Sequence, residues 1–261
     1  MLALIAGSGQ LPAYVAAAPA VRPYIAALEG FLPDDVVPDH VFRVETLGTL
    51  IASFKERGIR DVCFVGAIRR PAIDPTRLDA ATSPLVPRLM AALDAGDDGA
   101  LRVIIDILGE AGIATRGAHE IAPELLPPAG ALSTRVPEHA HERDIARAAE
   151  TVAALGARDI GQGCVVRGGQ VLAVEATPGT DWMLESLTRF DARGGVLYKA
   201  PKPIQDLRVD MPVIGANTVQ EAARAGLAGI AIAASGVMVI DHEACRHAAD
   251  AAGLFLWVQP Q

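Results

Sequence analysis

The sequence predicts an α/β protein with two domains, on three observations. Short apolar runs alternate with helix-length segments through the first half, a pattern typical of a parallel sheet with crossover helices. The chain has 261 residues and is 51% hydrophobic, which is enough to fill the cores of two domains of ordinary size. Proline and glycine interrupt the periodicity near residues 127–136, so we expect a linker there, between domains at 1–130 and 137–261.

The N-terminal domain is predicted to be a Rossmann-like parallel sheet covered by helices. An apolar run at 2–6 meets the turn Gly7-Ser8-Gly9 and then an alanine-rich helix, which is the order of elements in a nucleotide-binding α/β unit. The third glycine of the dinucleotide fingerprint is absent, and Pro12 stands in its place. The turn is therefore either a phosphate-binding loop made by Gly7, Ser8 and Gly9 or a tight connection between strand and helix.

The same alternation continues along the first half. The predicted elements are strands at 42–44, 61–66 and 113–115 and helices at 47–57, 84–95 and 100–111. Arg69 and Arg70 follow the 61–66 strand at its carboxyl end, the edge at which α/β sheets bind ligands. They are candidates for binding a phosphate, and the alternative is a solvated loop.

The C-terminal domain is predicted to be a mixed α/β domain. We expect a β-hairpin around Gly168-Gly169, and Asp241 capping the 243–252 helix. Thr180 or Asp181 is expected to cap another helix, whereas Asp181 and Glu175 can instead face a bound cation. The predicted helices are 142–155, 182–189, 218–225 and 243–252, and the predicted strands are 165–167, 170–174, 230–232, 237–240 and 254–258.

One segment of this domain concentrates the charged side chains. Three prolines at 201, 203 and 212 fix φ and exclude a helix, so a stiff loop or irregular strand is expected. A solvated connector is the alternative. The polar side chains of the segment are three cations, two carboxylates and one amide: Lys199, Lys202, Arg208, Asp206, Asp210 and Gln205.

These side chains suit a pocket for a small phosphorylated ligand. A metal held by a carboxylate, with Lys or Arg nearby, neutralises charge on phosphate oxygens and positions a water. In an extended chain Asp206 and Asp210 lie about 13 Å apart at ~3.3 Å per residue, so one cation cannot bridge them unless the chain bends. We therefore expect one carboxylate to serve the metal or the water and the other to hold the loop.

Composition restricts the partners and the compartment. A net charge of −8 disfavours binding along nucleic acid. The three cysteines have no CxxC spacing and are typical of small core residues in a reducing compartment. The N-terminus has no basic region before its apolar run, so we expect a buried strand and a cytoplasmic protein. The uncharged stretch 225–240 is shorter than the ~20 residues of a membrane-spanning helix.

A series of short motifs runs in one order over nearly the whole chain. The motifs are IAGSGQLP at 5–12, GDD at 96–98, GAHE at 117–120, DIGQG at 159–163, AVEA at 173–176, GTD at 179–181, KAPKPIQ at 199–205, RVD at 208–210 and AGLAG at 225–229. Each is weak alone, but the ordered set is specific. It resembles the LpxI-type UDP-2,3-diacylglucosamine pyrophosphatases of bacterial lipid A synthesis. Residues 12–46 and 188–194 carry no matching motif.

The resemblance implies a hydrolase that cleaves the diphosphate of UDP-2,3-diacylglucosamine to UMP and 2,3-diacylglucosamine 1-phosphate (lipid X). It also implies a divalent cation such as Mg²⁺, substrate bound between two domains, and attack by water on the sugar-side phosphorus. The RVD motif favours Asp210 as the carboxylate of the metal or water. The candidate site residues are then Asp210, Lys199, Lys202 and Arg208 for catalysis; Gly7, Ser8, Gly9, Arg69, Arg70, Thr180 and Gln205 for substrate; and Asp210, Asp206, Asp181 and Glu175 for metal.

Two other functions remain open. A Rossmann-type nucleotide-dependent oxidoreductase is indicated by the turn at residues 7–9, but the missing third glycine argues against it. A binding module that senses a sugar nucleotide without cleaving it would need the same contacts without turnover. An amphiphilic substrate points to peripheral contact with the inner membrane, yet no basic amphipathic helix is evident. A homo-oligomer is also left open by the sequence.

Overall fold

The computed structural model describes residues 1–68, 73–94, 97–203 and 205–260. The chain divides into two compact units, Met1–Pro123 and Glu124–Gln261. The first contains a parallel sheet and the second a mixed sheet, each with helices, which confirms the predicted α/β class with two domains. The independent folding of 1–130 and 137–261 stays a prediction.

The first unit is built on a five-stranded sheet in the order β3-β2-β1-β4-β5, with every neighbouring pair parallel. Crossover helices are what such parallel connections require. The strands are β1 (Leu2–Ala6), β2 (Tyr24–Leu28), β3 (His40–Phe42), β4 (Asp61–Val65) and β5 (Ala114–Arg116). The helices are α1 (Leu11–Ala17), α2 (Leu47–Glu56), α3 (Val86–Asp94), α4 (Asp97–Glu110) and α5 (Ala118–Ile121).

The central strands of this sheet are apolar without alternation because both of their faces are buried. In β1 the four residues from Ala3 to Ala6 are at most 3% exposed. The apolar side chains of α2, among them Leu50 and Phe54, pack into the same core. β2 has the same buried character, but its alanine-rich run is too short and too uniform to be predicted from periodicity.

The second unit is built on a six-stranded sheet in the order β6-β13-β11-β9-β7-β8. β13, β11 and β9 are parallel to one another, whereas β6, β7 and β8 pair antiparallel with their neighbours. The strands are β6 (Gly130–Ala131), β7 (Gly163–Arg167), β8 (Gln170–Val174), β9 (Val196–Lys199), β11 (Gly229–Ala233) and β13 (Phe255–Gln259), and β10 (Val213–Ile214) pairs with β12 (Met238–Val239) in a small separate sheet. The helices are α6 (His139–Gly156), α7 (Thr180–Leu187), α8 (Ala216–Arg224) and α9 (His242–Ala252).

Part of the stretch predicted as a linker belongs to this sheet. β6 pairs antiparallel with β13, and the Leu256 N–H donates to the Ser133 hydroxyl at 2.7 Å. A residue two positions further on, Arg135, forms a bridge with Phe255. Proline and glycine are compatible with a short edge strand, so their presence alone does not distinguish such a strand from a linker.

The predicted hairpin is present, and α6 secures its turn. Gly168 and Gly169 have φ values of 56° and 77°, which suit glycine. Their N–H groups donate to the buried Asp144 carboxylate at 2.9 and 2.7 Å. The hairpin is thereby tied to the helix that packs on β7 and β9.

The three cysteines are buried, as expected from the composition. Cys63, Cys164 and Cys245 are buried free thiols, and burial raises the pKa of each to about 12. They are therefore protonated at neutral pH and act as small core residues. In the described part of the chain, no helix is both long enough and apolar enough to cross a membrane.

Candidate active site

One edge of the six-stranded sheet gathers many of the predicted site residues. β9 ends at Lys199, and the antiparallel register of β7 places Gly163 opposite it. β8 ends at Val174 beside Cys164, so Glu175 follows at the same edge. This edge is the carboxyl end of the parallel strands β9, β11 and β13, where α/β sheets bind their ligands.

A buried ion pair lies at the centre of this edge. Lys199 is 3% exposed and Glu175 is 6% exposed. The Lys199 Nζ lies 3.4 Å from both carboxylate oxygens of Glu175 and 2.5 Å from the Thr180 Oγ1. Each buried charge therefore has a compensating partner. Glu175 is a predicted metal ligand and Thr180 a predicted substrate contact. In the structure, both bond Lys199.

Two glycines let the chain pass close to Glu175. A Cβ on Gly161 would lie 2.0 Å from the Glu175 carbonyl oxygen, and one on Gly163 would lie 2.6 Å from the Glu175 Oε2. The Glu175 N–H also donates to the Gly163 carbonyl at 2.8 Å. Both glycines of the GQG sequence at 161–163 are therefore needed, because Glu175 leaves no room for a Cβ at either position.

The segment after β9 is a loop that contains a tight turn. The N–H groups of Val209 and Asp210 both donate to the Asp206 carbonyl at 3.0 Å. The chain therefore bends between Asp206 and Asp210, and the separation of about 13 Å calculated for an extended chain does not apply. The Asp206 carboxylate accepts from the Arg208 Nε at 3.0 Å and from its Nη2 at 2.7 Å, so Asp206 holds the turn.

Asp210 accepts a hydrogen bond from a side-chain amide. The Gln205 Nε2 donates to the Asp210 Oδ2 at 2.5 Å and to the Gln162 Oε1 at 3.3 Å. The Gln205 Oε1 accepts from the Lys202 N–H at 2.9 Å. Gln205, predicted to bind substrate, therefore bonds three groups of the protein.

The 159–163 motif also holds the loop at its start. The Lys202 Nζ lies 2.6 Å from the Asp159 Oδ1, and the Ala200 N–H donates to the Gln162 carbonyl at 3.0 Å. Asp159 has a φ of 56°, an uncommon conformation for a residue other than glycine. Gly156 leaves room for the loop, since a Cβ there would lie 2.9 Å from the Pro203 Cδ.

The cap predicted for α7 is wrong. Gly179, with φ of 90°, occupies the N-cap position, and no side chain caps the helix. Thr180 and Asp181 lie in the first turn of the helix, and their side chains bond residues outside it. Thr180 accepts from Lys199, and the Asp181 carboxylate accepts from the Asn217 Nδ2 at 3.2 Å.

Comparison with known proteins identifies the family of this chain. The model of the LpxI N-terminal domain matches residues 1–125, and that of the LpxI C-terminal domain matches residues 128–257. The chain belongs to the LpxI family. It is 40% identical to a protein of Caulobacter vibrioides named UDP-2,3-diacylglucosamine pyrophosphatase LpxI, and the match covers 100% of this chain and 98% of the relative. The resemblance inferred from the ordered motifs is thereby confirmed.

In this LpxI-family chain the glycine turn after β1 is closed by its own backbone. The Gly7 N–H donates to the Val65 carbonyl at 2.8 Å, and the Ser8 N–H donates to the Ala67 carbonyl at 2.9 Å. These two amides are already bonded, which favours the tight-connection interpretation. Phosphate binding at residues 7–9 stays a prediction. Arg69 and Arg70 lie outside the described residues.

The four carboxylates predicted as metal ligands of the LpxI site have separate partners. Among the residues that the structure describes, no three His, Cys, Asp or Glu side chains come together as cation ligands. Mg²⁺ commonly takes only one or two carboxylates together with substrate phosphates, and Asp210 at this edge fits that smaller donor set. Glu175 bonds Lys199, Asp181 bonds Asn217, Asp206 bonds Arg208 and Asp210 bonds Gln205.

Two residues of this edge are not identified as site residues by sequence reasoning. Asp159 pairs with Lys202, and Gln162 supports Gln205. The only sequence signal was their place in the DIGQG motif, whose glycines mark a close approach of two backbones.

Proposed function

We propose that this chain hydrolyses the diphosphate of UDP-2,3-diacylglucosamine to UMP and 2,3-diacylglucosamine 1-phosphate. The name of the Caulobacter relative, which matches over the full chain, supports this substrate. The observation that carries the proposal is the Asp210 carboxylate, held by Gln205 at the carboxyl edge of the sheet, in one loop with Lys202 and Arg208. Water attack on a diphosphate needs a fixed carboxylate and cations, and this loop carries both.

The three cations of the loop divide between structure and substrate in this proposal. The Lys199 side chain is 4% exposed, that of Lys202 is 14% exposed and that of Arg208 is 48% exposed. Lys199 is therefore assigned to the support of the α7 start through Thr180. Arg208 is the most accessible of the three and is assigned to the charge that develops on the phosphate oxygens.

Asp210 is assigned to the attacking water or to a divalent cation. A carboxylate at hydrogen-bond distance orients the water and accepts its proton as the oxygen attacks the phosphorus. A bound Mg²⁺ would neutralise charge on the diphosphate, with Asp210 and substrate oxygens as ligands. The cytoplasmic location, peripheral contact with the inner membrane and a homo-oligomeric state stay predictions.

The test is the substitution Asp210→Ala. UMP release from UDP-2,3-diacylglucosamine is expected to fall by at least about 100-fold, because this carboxylate acts on charge and geometry of the transition state. Substrate binding should be retained, since uridine, diphosphate and acyl contacts remain. UMP release, substrate binding and thermal unfolding are measured on the same preparation.

A matched control uses a carboxylate outside the site. Asp191 pairs with Arg193 ahead of β9, at the opposite end of that strand from Lys199, so Asp191→Asn should keep wild-type turnover. Near-normal turnover in a folded Asp210→Ala variant would remove Asp210 from the mechanism. Substrate binding by the wild type without UMP release would favour the binding-module alternative.

A further inference from the structure

Gln205 connects the Asp210 carboxylate to the rest of the second unit. Its Nε2 donates to the Asp210 Oδ2 at 2.5 Å and to the Gln162 Oε1 at 3.3 Å, and its Oε1 accepts from the Lys202 N–H at 2.9 Å. The Gln205 amide therefore contacts the Asp210 carboxylate, the side chain of Gln162 and the backbone of its own loop.

The orientation of this amide follows from hydrogen-bond chemistry. A backbone N–H only donates, so the carbonyl oxygen of Gln205 must face Lys202. The NH₂ group then faces Asp210 and Gln162, which both present oxygen acceptors. A flipped amide would set oxygen against the carboxylate and NH₂ against an N–H, so only one orientation satisfies its neighbours.

Gln162 ties this amide to the sheet. Its carbonyl accepts from the Ala200 N–H at 3.0 Å, directly after β9. Its flanking glycines pack against Glu175, which pairs with the buried Lys199. The contacts therefore run from the sheet through Gln162 and Gln205 to Asp210.

We propose that Gln205 is a positioning residue that holds the Asp210 carboxylate in its productive orientation, with Gln162 as its support. This inference rests on the proposed function, because it requires Asp210 to act in the reaction. Without the amide, the carboxylate is free to adopt other rotamers, and a misplacement of ~1 Å at a reacting group costs on the order of 100-fold in rate.

Gln205→Ala and Gln205→Glu separate this role from two others. Glu keeps the oxygen that Lys202 needs but sets a second acceptor against Asp210. A residue that only braces the loop through Lys202 tolerates Glu, whereas a residue that donates to Asp210 does not. A residue that binds substrate raises KM when it is removed.

The expected result is a fall in kcat of about 30-fold or more for both variants, with KM within about threefold of wild type. Thermal unfolding should stay close to wild type, since the loop keeps its other contacts. Gln220→Ala, the same change at an exposed position on α8, should have wild-type kcat and KM.

A double-variant cycle adds a measurement that a structural role would not change. In an Asp210→Asn background, assayed at high enzyme concentration, Gln205→Ala should cost less than about threefold, because the carboxylate it orients is already gone. An equal loss in both backgrounds would overturn the inference, because Gln205 would then act independently of Asp210.

Other outcomes show whether the positioning role of Gln205 or the proposed function is wrong. Wild-type kcat in Gln205→Glu, or a change confined to KM in Gln205→Ala, overturns the positioning role while leaving the proposed function intact. Wild-type turnover in Asp210→Asn overturns the role of Asp210 in the proposed function, and the positioning role with it.

Discussion

The buried pair of Lys199 and Glu175 allows a quantitative test of how the site edge is stabilised. Glu175→Gln keeps the shape of the side chain and removes its charge, so Lys199 is left buried without a counter-ion. The two residues are 3% and 6% exposed, and the Nζ lies 3.4 Å from each carboxylate oxygen. Solvent therefore screens this pair weakly.

The magnitude follows from this burial. Removing one partner of a buried pair costs about 3–5 kcal/mol. A distance of 3.4 Å is longer than an ideal N–H···O bond, so we expect a cost near the lower limit, about 3 kcal/mol. Since 1 kcal/mol moves Tm by roughly 2–8 °C in domains of about 60–250 residues, Tm should fall on the order of 10 °C.

Tryptophan fluorescence during urea unfolding measures this change in the second unit. The chain has two tryptophans, Trp182 and Trp257, and both lie in that unit. The double variant Glu175→Gln/Lys199→Met should be more stable than Glu175→Gln, because no unpaired charge remains buried. Asp191→Asn, in an exposed pair, should have near wild-type stability.

Two outcomes would contradict this reasoning. A loss below about 1 kcal/mol in Glu175→Gln would mean that water or another group compensates Lys199. Additive losses in the double variant would mean that the two side chains stabilise the unit independently.

Two further predictions concern backbone packing and the cation. Gly161→Ala places a Cβ 2.0 Å from the Glu175 carbonyl oxygen and should destabilise the protein by about 1–3 kcal/mol or more. Gly109→Ala, at an exposed position of α4 with nothing within 4 Å of the new Cβ, should stabilise it by about 0.5–1 kcal/mol. Thermal unfolding measures both changes, and equal effects would refute the steric argument. Exhaustive chelation should abolish UMP release and added Mg²⁺ should restore it, whereas full activity after chelation would exclude a required cation.

Elements with strong local signals could be predicted from the sequence. β1 and β4 are short apolar runs bounded by turn residues, and Gly168-Gly169 marks the hairpin turn between β7 and β8. Asp241 caps α9 as expected, accepting from the Ala244 N–H at 2.9 Å. In each case, the information lies within a few neighbouring residues, because backbone conformation and side-chain periodicity are local properties.

Short edge elements could not be predicted in this way. β6 is a strand because β13 offers it hydrogen bonds, and the residues around it otherwise have the composition of a linker. Its partner lies more than 120 residues away in the chain, so no local pattern encodes the pairing.

The sequence by itself determined the family and the residue types of the candidate site. The ordered motifs indicated the LpxI family, and the charge pattern of residues 199–210 indicated a phosphate-processing loop. Phosphate chemistry uses cations and a carboxylate, so the charged side chains of residues 199–210 were candidates from chemistry. The choice of Asp210 over Asp206 came from the RVD motif of the family resemblance.

Only the tertiary structure decided which side chains are partners. Glu175, a metal candidate from sequence, pairs with Lys199 because β7 lies between β8 and β9 and aligns the ends of both strands at one edge. Gln162 reaches Gln205 across 43 positions of the chain. The register of a sheet depends on the summed packing and hydrogen bonding of all its strands, and that sum cannot be obtained from any one segment.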